Sequence, residues 1–310
     1  MAVAGLLEQG VAAGLVGAPE SGKSLLALNI AACVATGHDF HGRACASGLV
    51  VYLCGEGHHG IARRLQAIEN RYSLGLVGAP LVVSKQRAPL LNESAVMGVR
   101  AAIEEAQSEH GSELVLLVVD TLARFIAPGD ESKAQDMGAA LNAIDFLRNH
   151  TSTCLILHHP GHGAEKRGRG SSDWRGALDA EYYIELQQDV TSLEPLKMKD
   201  GERPQPLAFR IEQEITNTLD EAGVFVRSVV LAPTALTITR PDPPAGKNQG
   251  RLYDELERRS PDRLQVWTDA ELKQIGRDIG LDRWRAREAV KGLRTHGLIV
   301  PTVGGSHLVP

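Results

Sequence analysis

The sequence predicts an α/β protein built on a mostly parallel central sheet, followed by a smaller, largely helical domain. Three observations carry this reading. Short apolar runs alternate with amphipathic stretches of helical length from Ala12 to His158, the pattern of strands joined by crossover helices. One run, Leu114–Val119, is apolar at every position, as a strand covered on both faces must be. Arg240–Gly250 then places three prolines and two glycines in eleven residues, which neither helix nor strand can continue.

In chain order, strands are expected at Ala12–Gly17, Leu49–Cys54, Leu81–Ser84, Leu114–Asp120 and Thr153–His158. Helices are expected at Lys23–Thr36, Ile61–Tyr72, Ser94–His110 and Lys133–His150. From Ala180 the pattern changes. Glu181–Leu186, Leu207–Glu212, Val224–Leu231 and Leu236–Arg240 read as strands separated by polar turns such as Lys199-Asp-Gly-Glu202. They should extend the sheet with antiparallel strands at one edge. The expected boundaries are a first domain over residues 1–240, a linker over 241–249 and a second domain over 250–310.

The formal charge of the 310-residue chain is −5, so no global cationic field draws it to nucleic acid or to a membrane surface. The average hides an asymmetry. From Pro241 onward there are twelve Lys/Arg against ten Asp/Glu, so the acidic excess lies in the first 240 residues. Four cysteines without a C-x-x-C pair support neither a disulfide framework nor a zinc ribbon. Met1–Gly10 has no basic start and carries Glu8, a poor signal peptide. No apolar run approaches the roughly 20 residues a membrane helix needs. A cytoplasmic protein without membrane association is expected.

Gly17-Ala18-Pro19-Glu20-Ser21-Gly22-Lys23-Ser24 satisfies G-x-x-x-x-G-K-[ST] in full, with an apolar strand before it and a helix after it. The chemistry demands these residue types. Gly22 permits a tight turn that aims successive N–H groups at phosphate oxygens, and the start of the following helix adds a positive field. Lys23 should reach the β- and γ-phosphates of ATP, and the Ser24 hydroxyl should ligate Mg²⁺. Asp120, closing the apolar run, is the expected second Mg²⁺ residue. Glu56, between two glycines just past Leu49–Cys54, is placed to activate the attacking water at a strand's C-terminal end.

Taken together, these residues resemble RecA-like P-loop ATPases of the plasmid RepA type, the small hexameric replicative helicases. The resemblance rests on Gly17–Ser24, Val51-Tyr-Leu-Cys-Gly-Glu56, Leu114–Thr121, Leu155-Ile-Leu-His158-His159-Pro-Gly, Arg169-Gly-Ser-Ser172 and Lys199-Asp-Gly-Glu with Leu207-Ala-Phe-Arg210. It covers about residues 1 to 215. It implies Lys23 and Ser24 for phosphate and Mg²⁺, Glu56 as catalytic base, and His159 or His158 as a γ-phosphate sensor. It further implies Arg169 as an arginine finger offered to a neighbouring subunit, a homo-hexamer or other homo-oligomer, and single-stranded DNA in a central channel. Two rival functions remain open: a recombination or repair ATPase of the RadA type, and a DNA-binding regulator switched by ATP.

A zinc site at His158-His-Pro-Gly-His162 is disfavoured, because adjacent strand residues point to opposite faces and no Asp/Glu/Cys cluster accompanies them. The loop Gly161–Gly170 is glycine-rich and locally basic, with Lys166, Arg167 and Arg169 able to meet phosphates of nucleotide or DNA. Thr121–Lys133, with Arg124 and Pro128, is a second such loop.

Beyond the linker, helices are expected at Arg251–Arg259, at Asp269–Ile279 behind a Thr268 cap, and at Arg283–His296. Leu298-Ile-Val-Pro and His307-Leu-Val then read as two short strands. This order resembles a winged helix. Its third helix carries Arg283, Arg285, Arg287, Lys291 and Arg294 against Glu288 alone, which suits phosphate and groove contacts on duplex DNA. Its core is expected from Trp267, Trp284, Leu252, Leu256, Leu272, Ile275, Leu293 and Leu298.

Overall fold

The computed structural model describes residues 1–55, 57–161, 168, 172–234, 246–260, 265–295, 298–302 and 305–308. The chain divides into two compact units, Met1–Leu236 and Thr237–Pro310.

The first unit is one nine-stranded sheet with helices on both faces. Its strands are β1 (Ala12–Val16), β2 (Leu49–Cys54), β3 (Leu81–Val83), β4 (Leu114–Asp120), β5 (Thr153–His158), β6 (Ala180–Gln187), β7 (Val190–Met198), β8 (Leu207–Leu219) and β9 (Phe225–Thr234). They lie in the order β3-β2-β4-β5-β1-β6-β7-β8-β9. The first six positions pair in parallel and β7, β8 and β9 are antiparallel. This is the RecA-like arrangement, with the phosphate loop after β1 and an acidic residue closing β4.

The helices are α1 (Lys23–Thr36), α2 (His58–Tyr72), α3 (Glu93–His110), α4 (Leu122–Ile126), α5 (Ala134–Leu147) and α6 (Ser172–Ala177). Strand residues alternate between the two faces, so β4 sends Leu116 and Val118 into one core and Leu117 and Val119 into the other. The first core is filled from α1 and α2, the second from α3, α4, α5 and α6. Helix α1 is buried at twelve of its fourteen positions, which is why its sequence reads as apolar on every side. Helix α2 also lies along the antiparallel edge, where Asn70 Nδ2 donates to Ile215 O at 2.8 Å.

Two expectations for this unit need correction. Strand β7 was not expected, because Pro195 lies in its interior and a proline argues against a regular strand. The sheet accommodates it at an irregularity, where Pro195 stands opposite Tyr182 beside a register shift. Strand β8 runs seven residues beyond the expected end at Glu212 because its outer part is paired to β9. The expected strand Leu236–Arg240 lies outside the described residues. Among the described residues, no helix is long and apolar enough to cross a membrane.

The second unit holds α7 (Lys247–Arg259), α8 (Asp269–Asp278), α9 (Arg283–Thr295) and the antiparallel hairpin β10 (Ile299–Thr302) and β11 (Gly305–Leu308). A bridge between Trp267 and Ser306 ties the segment before α8 to the hairpin. Thr268 caps α8 in a full capping box with Glu271, as the sequence led one to expect. Helix α7 starts at Lys247, so the last three residues of the expected linker are helical. Gln249 lies over α9 so closely that a Cβ at Gly292 would come 2.0 Å from its Nε2, and that packing extends the helix upstream. Trp284 is also corrected. It is 70% exposed, whereas Leu252, Leu256, Trp267, Leu272, Ile275, Leu293 and Leu298 are buried as expected.

Candidate functional site

The phosphate loop spans the end of β1 and the start of α1. Gly22 sits at φ 93° and Glu20 at φ 65°, left-handed positions that turn the chain tightly into the helix. Lys23, only 5% exposed, donates from Nζ to Gly17 O at 2.8 Å and to Ala18 O at 2.7 Å. The cation is thus held inside the loop's own curve. Ser21 is buried, and its Oγ has no hydrogen-bond partner among the described residues. Thr191 on β7 behaves alike. Its buried Oγ1 also lacks a partner, and a Cβ at Gly22 would stand 3.6 Å from it. Buried hydroxyls in that state are costly unless something accepts or donates to them. The left-handed turn at Gly22 and the Lys23 ammonium held against Gly17 O and Ala18 O are what the phosphates of a nucleotide require, so the residues present fit one.

The carboxylate expected to serve Mg²⁺ lies at the same edge. Register places Cys54 opposite Asp120 and Val16 opposite His158, so the C-terminal ends of β1, β2, β4 and β5 converge where open α/β sheets take their ligands. Asp120 shares its face with Leu116 and Val118, and that face packs on α1, whose first residue is Lys23. Tyr52 completes the arrangement. Its hydroxyl donates to Asp120 Oδ2 at 2.5 Å in a fully buried setting. Burial, and then the negative charge of Asp120, push the phenol well above its ordinary pKa, which keeps the hydroxyl a donor to the carboxylate. Thr121 Oγ1 beside it is buried with no hydrogen-bond partner among the described residues.

Glu56, the expected catalytic base, lies outside the described residues, but its approach is fixed. Gly55 N donates to Asp120 O at 2.6 Å. A Cβ at Gly55 would come 2.6 Å from the Arg124 Cβ and 3.1 Å from Asp120 O. Only glycine lets the chain leave β2 this close to the Asp120 main-chain carbonyl and to Arg124.

The two histidines separate clearly. His158 is fully buried and its ring lies against Trp174 of α6, with centroids 4.8 Å apart, on the face away from α1. Trp174 is in turn held by its Nε1 donating to the buried Glu181 at 3.1 Å, and Arg175 pairs with the same carboxylate at 3.3 Å. His159 follows one position later and is only half-buried. Pro160 and Gly168 pair as an antiparallel bridge. Lys166, Arg167 and Arg169 lie outside the described residues.

Sequence reasoning missed Tyr52, Thr191 and Trp174. Tyr52 stood inside a quoted motif, and a polar atom on a strand otherwise buried throughout was the available signal. The expected loop Thr121–Lys133 is corrected in part, because Leu122–Ile126 is the helix α4, and with the turn after it this helix borders a cleft of about 560 Å³ lined by His58, Lys85, Arg87, Arg124 and Pro128. Arg124 was expected there, and Lys85 and Arg87 were not. Burial pushes the thiols of Cys33 and Cys154 up to about 12, so they are inert packing groups. Among the described residues no group of three or more His, Cys, Asp or Glu could hold a metal ion.

In the second unit, α8 and α9 flank a cleft of about 790 Å³ lined by Lys273, Arg277, Arg283, Arg287 and Lys291. Two of the cations expected to meet DNA are engaged within the unit. Arg294 pairs with Asp269 and donates to Ser306 Oγ, and Arg285 pairs with Asp282 at 3.4 Å.

A family model describing an AAA domain matches residues 1–165, more than half of the chain. The chain belongs to the AAA domain family. The match takes in the loop Gly17–Ser24, Asp120 and both histidines, so this AAA protein is a P-loop ATPase by family with a RecA-like fold. Among solved structures it is similar to the RadB recombinase, at 15% identity and TM-score 0.49 over 66% of this chain and 89% of that one. It is also similar to the flagellar accessory protein FlaH from Methanocaldococcus jannaschii, at 14% identity and TM-score 0.48 over 74% and 91%. No curated protein matches.

Proposed function

We propose that the protein is an ATP-hydrolysing, DNA-associated motor, a RepA-like replicative DNA helicase of a plasmid, phage or integrated element. The observation that carries the reading is the convergence of Lys23 and Asp120 on one face at one edge of the sheet. Lys23 would exchange its loop carbonyls for the terminal phosphates of ATP, and the N–H groups from Glu20 to Ser24, beyond Pro19, would cradle them. Ser24 and Asp120 would hold Mg²⁺, which when bound neutralises charge developing on the phosphates. Tyr52 fixes the carboxylate that does so. Glu56 would orient and deprotonate the attacking water.

His159, not His158, would sense the γ-phosphate, because the His158 ring is committed to Trp174. Arg169 would complete a neighbour's site in a homo-hexamer, and Lys166 and Arg167 would follow single-stranded DNA in the ring channel. The second unit, read as a winged helix, would hold duplex DNA through its third helix, α9. Its three helices, hairpin and cationic cleft support that reading. Strand displacement on a forked substrate tests the whole. ATP-dependent release of the displaced strand supports a helicase. Stable coating of single strands without displacement would place the protein with the recombinases instead, and sequence-specific duplex binding with ATP acting only on assembly would make it a regulator.

A further inference from the structure

Trp284 stands at the second position of α9 with 70% of its surface exposed, while Ala286, Ala289, Val290 and Leu293 form the buried stripe of that helix. The other two tryptophans of the chain, Trp174 and Trp267, are 1% and 2% exposed. An indole left in water forgoes a large apolar gain, and along α9 its neighbours are cations with one acid, Glu288 at i+4. Arg287 and Lys291 follow it at i+3 and i+7, on the same side of the helix. Arg283 and Arg287 make no ion pair among the described residues, and both line the α8–α9 cleft with Lys273 and Arg277 from the facing helix. Asp269, which also lines the cleft, is paired with Lys273 and Arg294, and Asp282 is paired with Arg285.

A cationic groove bordered by an exposed aromatic face is the arrangement that holds a nucleic-acid backbone while an unstacked base lies on the ring. A continuous duplex offers phosphates but hides the faces of its bases. An unpaired base offers both.

We propose that the α8–α9 cleft and Trp284 form a binding site for DNA that presents an unpaired base, with phosphates over Lys273, Arg277, Arg283 and Arg287 and the base stacked on the indole. The proposal rests on the reading that the second unit contacts DNA and sharpens it, since the site prefers single strands and single-strand/duplex junctions to blunt duplex.

The test uses the full chain without nucleotide. Tryptophan emission is followed as oligothymidylate, a hairpin with a single-stranded tail and a blunt hairpin are added, and affinity is read separately from the anisotropy of labelled DNA. Oligothymidylate and the tailed hairpin should quench the emission, because Trp284 is the one tryptophan open to a ligand. Trp284→Ala should remove the quenching and weaken those ligands about five- to hundredfold, the range measured when stacking aromatics are truncated. Affinity for the blunt hairpin should stay near that of the parent, and Trp284→Phe should retain most of the preference. Equal affinities for all three ligands, with no quenching and no effect of Trp284→Ala, would overturn the base-stacking site while leaving DNA contact by the second unit intact. If Arg283→Glu with Arg287→Glu also changes no affinity, both the site and the DNA reading of the second unit fall.

Discussion

Replacing Tyr52 with Phe isolates one interaction at the heart of the nucleotide site. The ring and its packing remain, so no cavity opens, and the only loss is the 2.5 Å hydrogen bond to Asp120, which is 4% exposed. Hydrogen bonds to charged groups contribute about 1.5–3 kcal/mol, and a domain of this size loses about 2–4 °C of melting temperature per kcal/mol. Tyr52→Phe should therefore melt about 3–12 °C below the parent. Groups that orient a metal-ligating side chain typically change metal affinity 10- to 100-fold, so half-activation of ATP hydrolysis should need roughly that much more Mg²⁺. Calorimetry and an Mg²⁺ titration of turnover read the two effects. A double cycle with Asp120→Asn ties them to one contact, since the Tyr52 effect should largely vanish when the partner charge is gone. Unchanged melting and unchanged Mg²⁺ dependence would refute the claim that Tyr52 positions Asp120.

Three further outcomes are expected. Glu56→Gln should bind ATP like the parent but turn over at least a hundredfold more slowly, measured by equilibrium binding beside steady-state hydrolysis; near-normal turnover removes Glu56 from its role. Mixing Arg169→Ala with Lys23→Ala subunits should restore part of the activity that neither has alone, because an intact half-site from each can meet at an interface, and trans-acting arginines contribute roughly 10³–10⁵ in rate. His41 is half-buried among the rings of Phe40, Tyr72 and Phe209, and this burial pushes its pKa down to about 4. Between about pH 6.5 and 4 the unfolded chain therefore binds the extra proton, so the stability His41 contributes is present above pH 6.5 and is lost as pH falls towards 4, by about 2–3 kcal/mol. His41→Asn, which tolerates the local φ of 49°, should flatten the urea midpoint between pH 7 and 4.5.

The parallel half of the sheet was legible in the sequence because β1 to β5 are each built on an apolar run, and the phosphate loop because its glycines and lysine admit few other uses. Antiparallel strands carry a weaker mark. Strand β7 hides behind Pro195 and half-buried polar positions, and only its pairing with β6 and β8 makes it a strand. Trp284 shows the opposite failure. Its hydrophobicity suggests a core residue, yet the stripe Ala286, Ala289, Val290 and Leu293 already defines the buried face of α9, and position 284 lies off it. Periodicity, not side-chain type, decides burial there. Tyr52 acts through a partner 68 residues away in sequence, and no local pattern announces such a pair.

The central claim is that nucleotide chemistry at Lys23 and Asp120 drives work on DNA. It is tested most directly by measuring ATP hydrolysis with and without single-stranded DNA, in the parent and in Lys23→Ala. Hydrolysis that single-stranded DNA accelerates severalfold in the parent, and that Lys23→Ala abolishes in both conditions, is the expected result. Turnover indifferent to DNA, or surviving without Lys23, would contradict it.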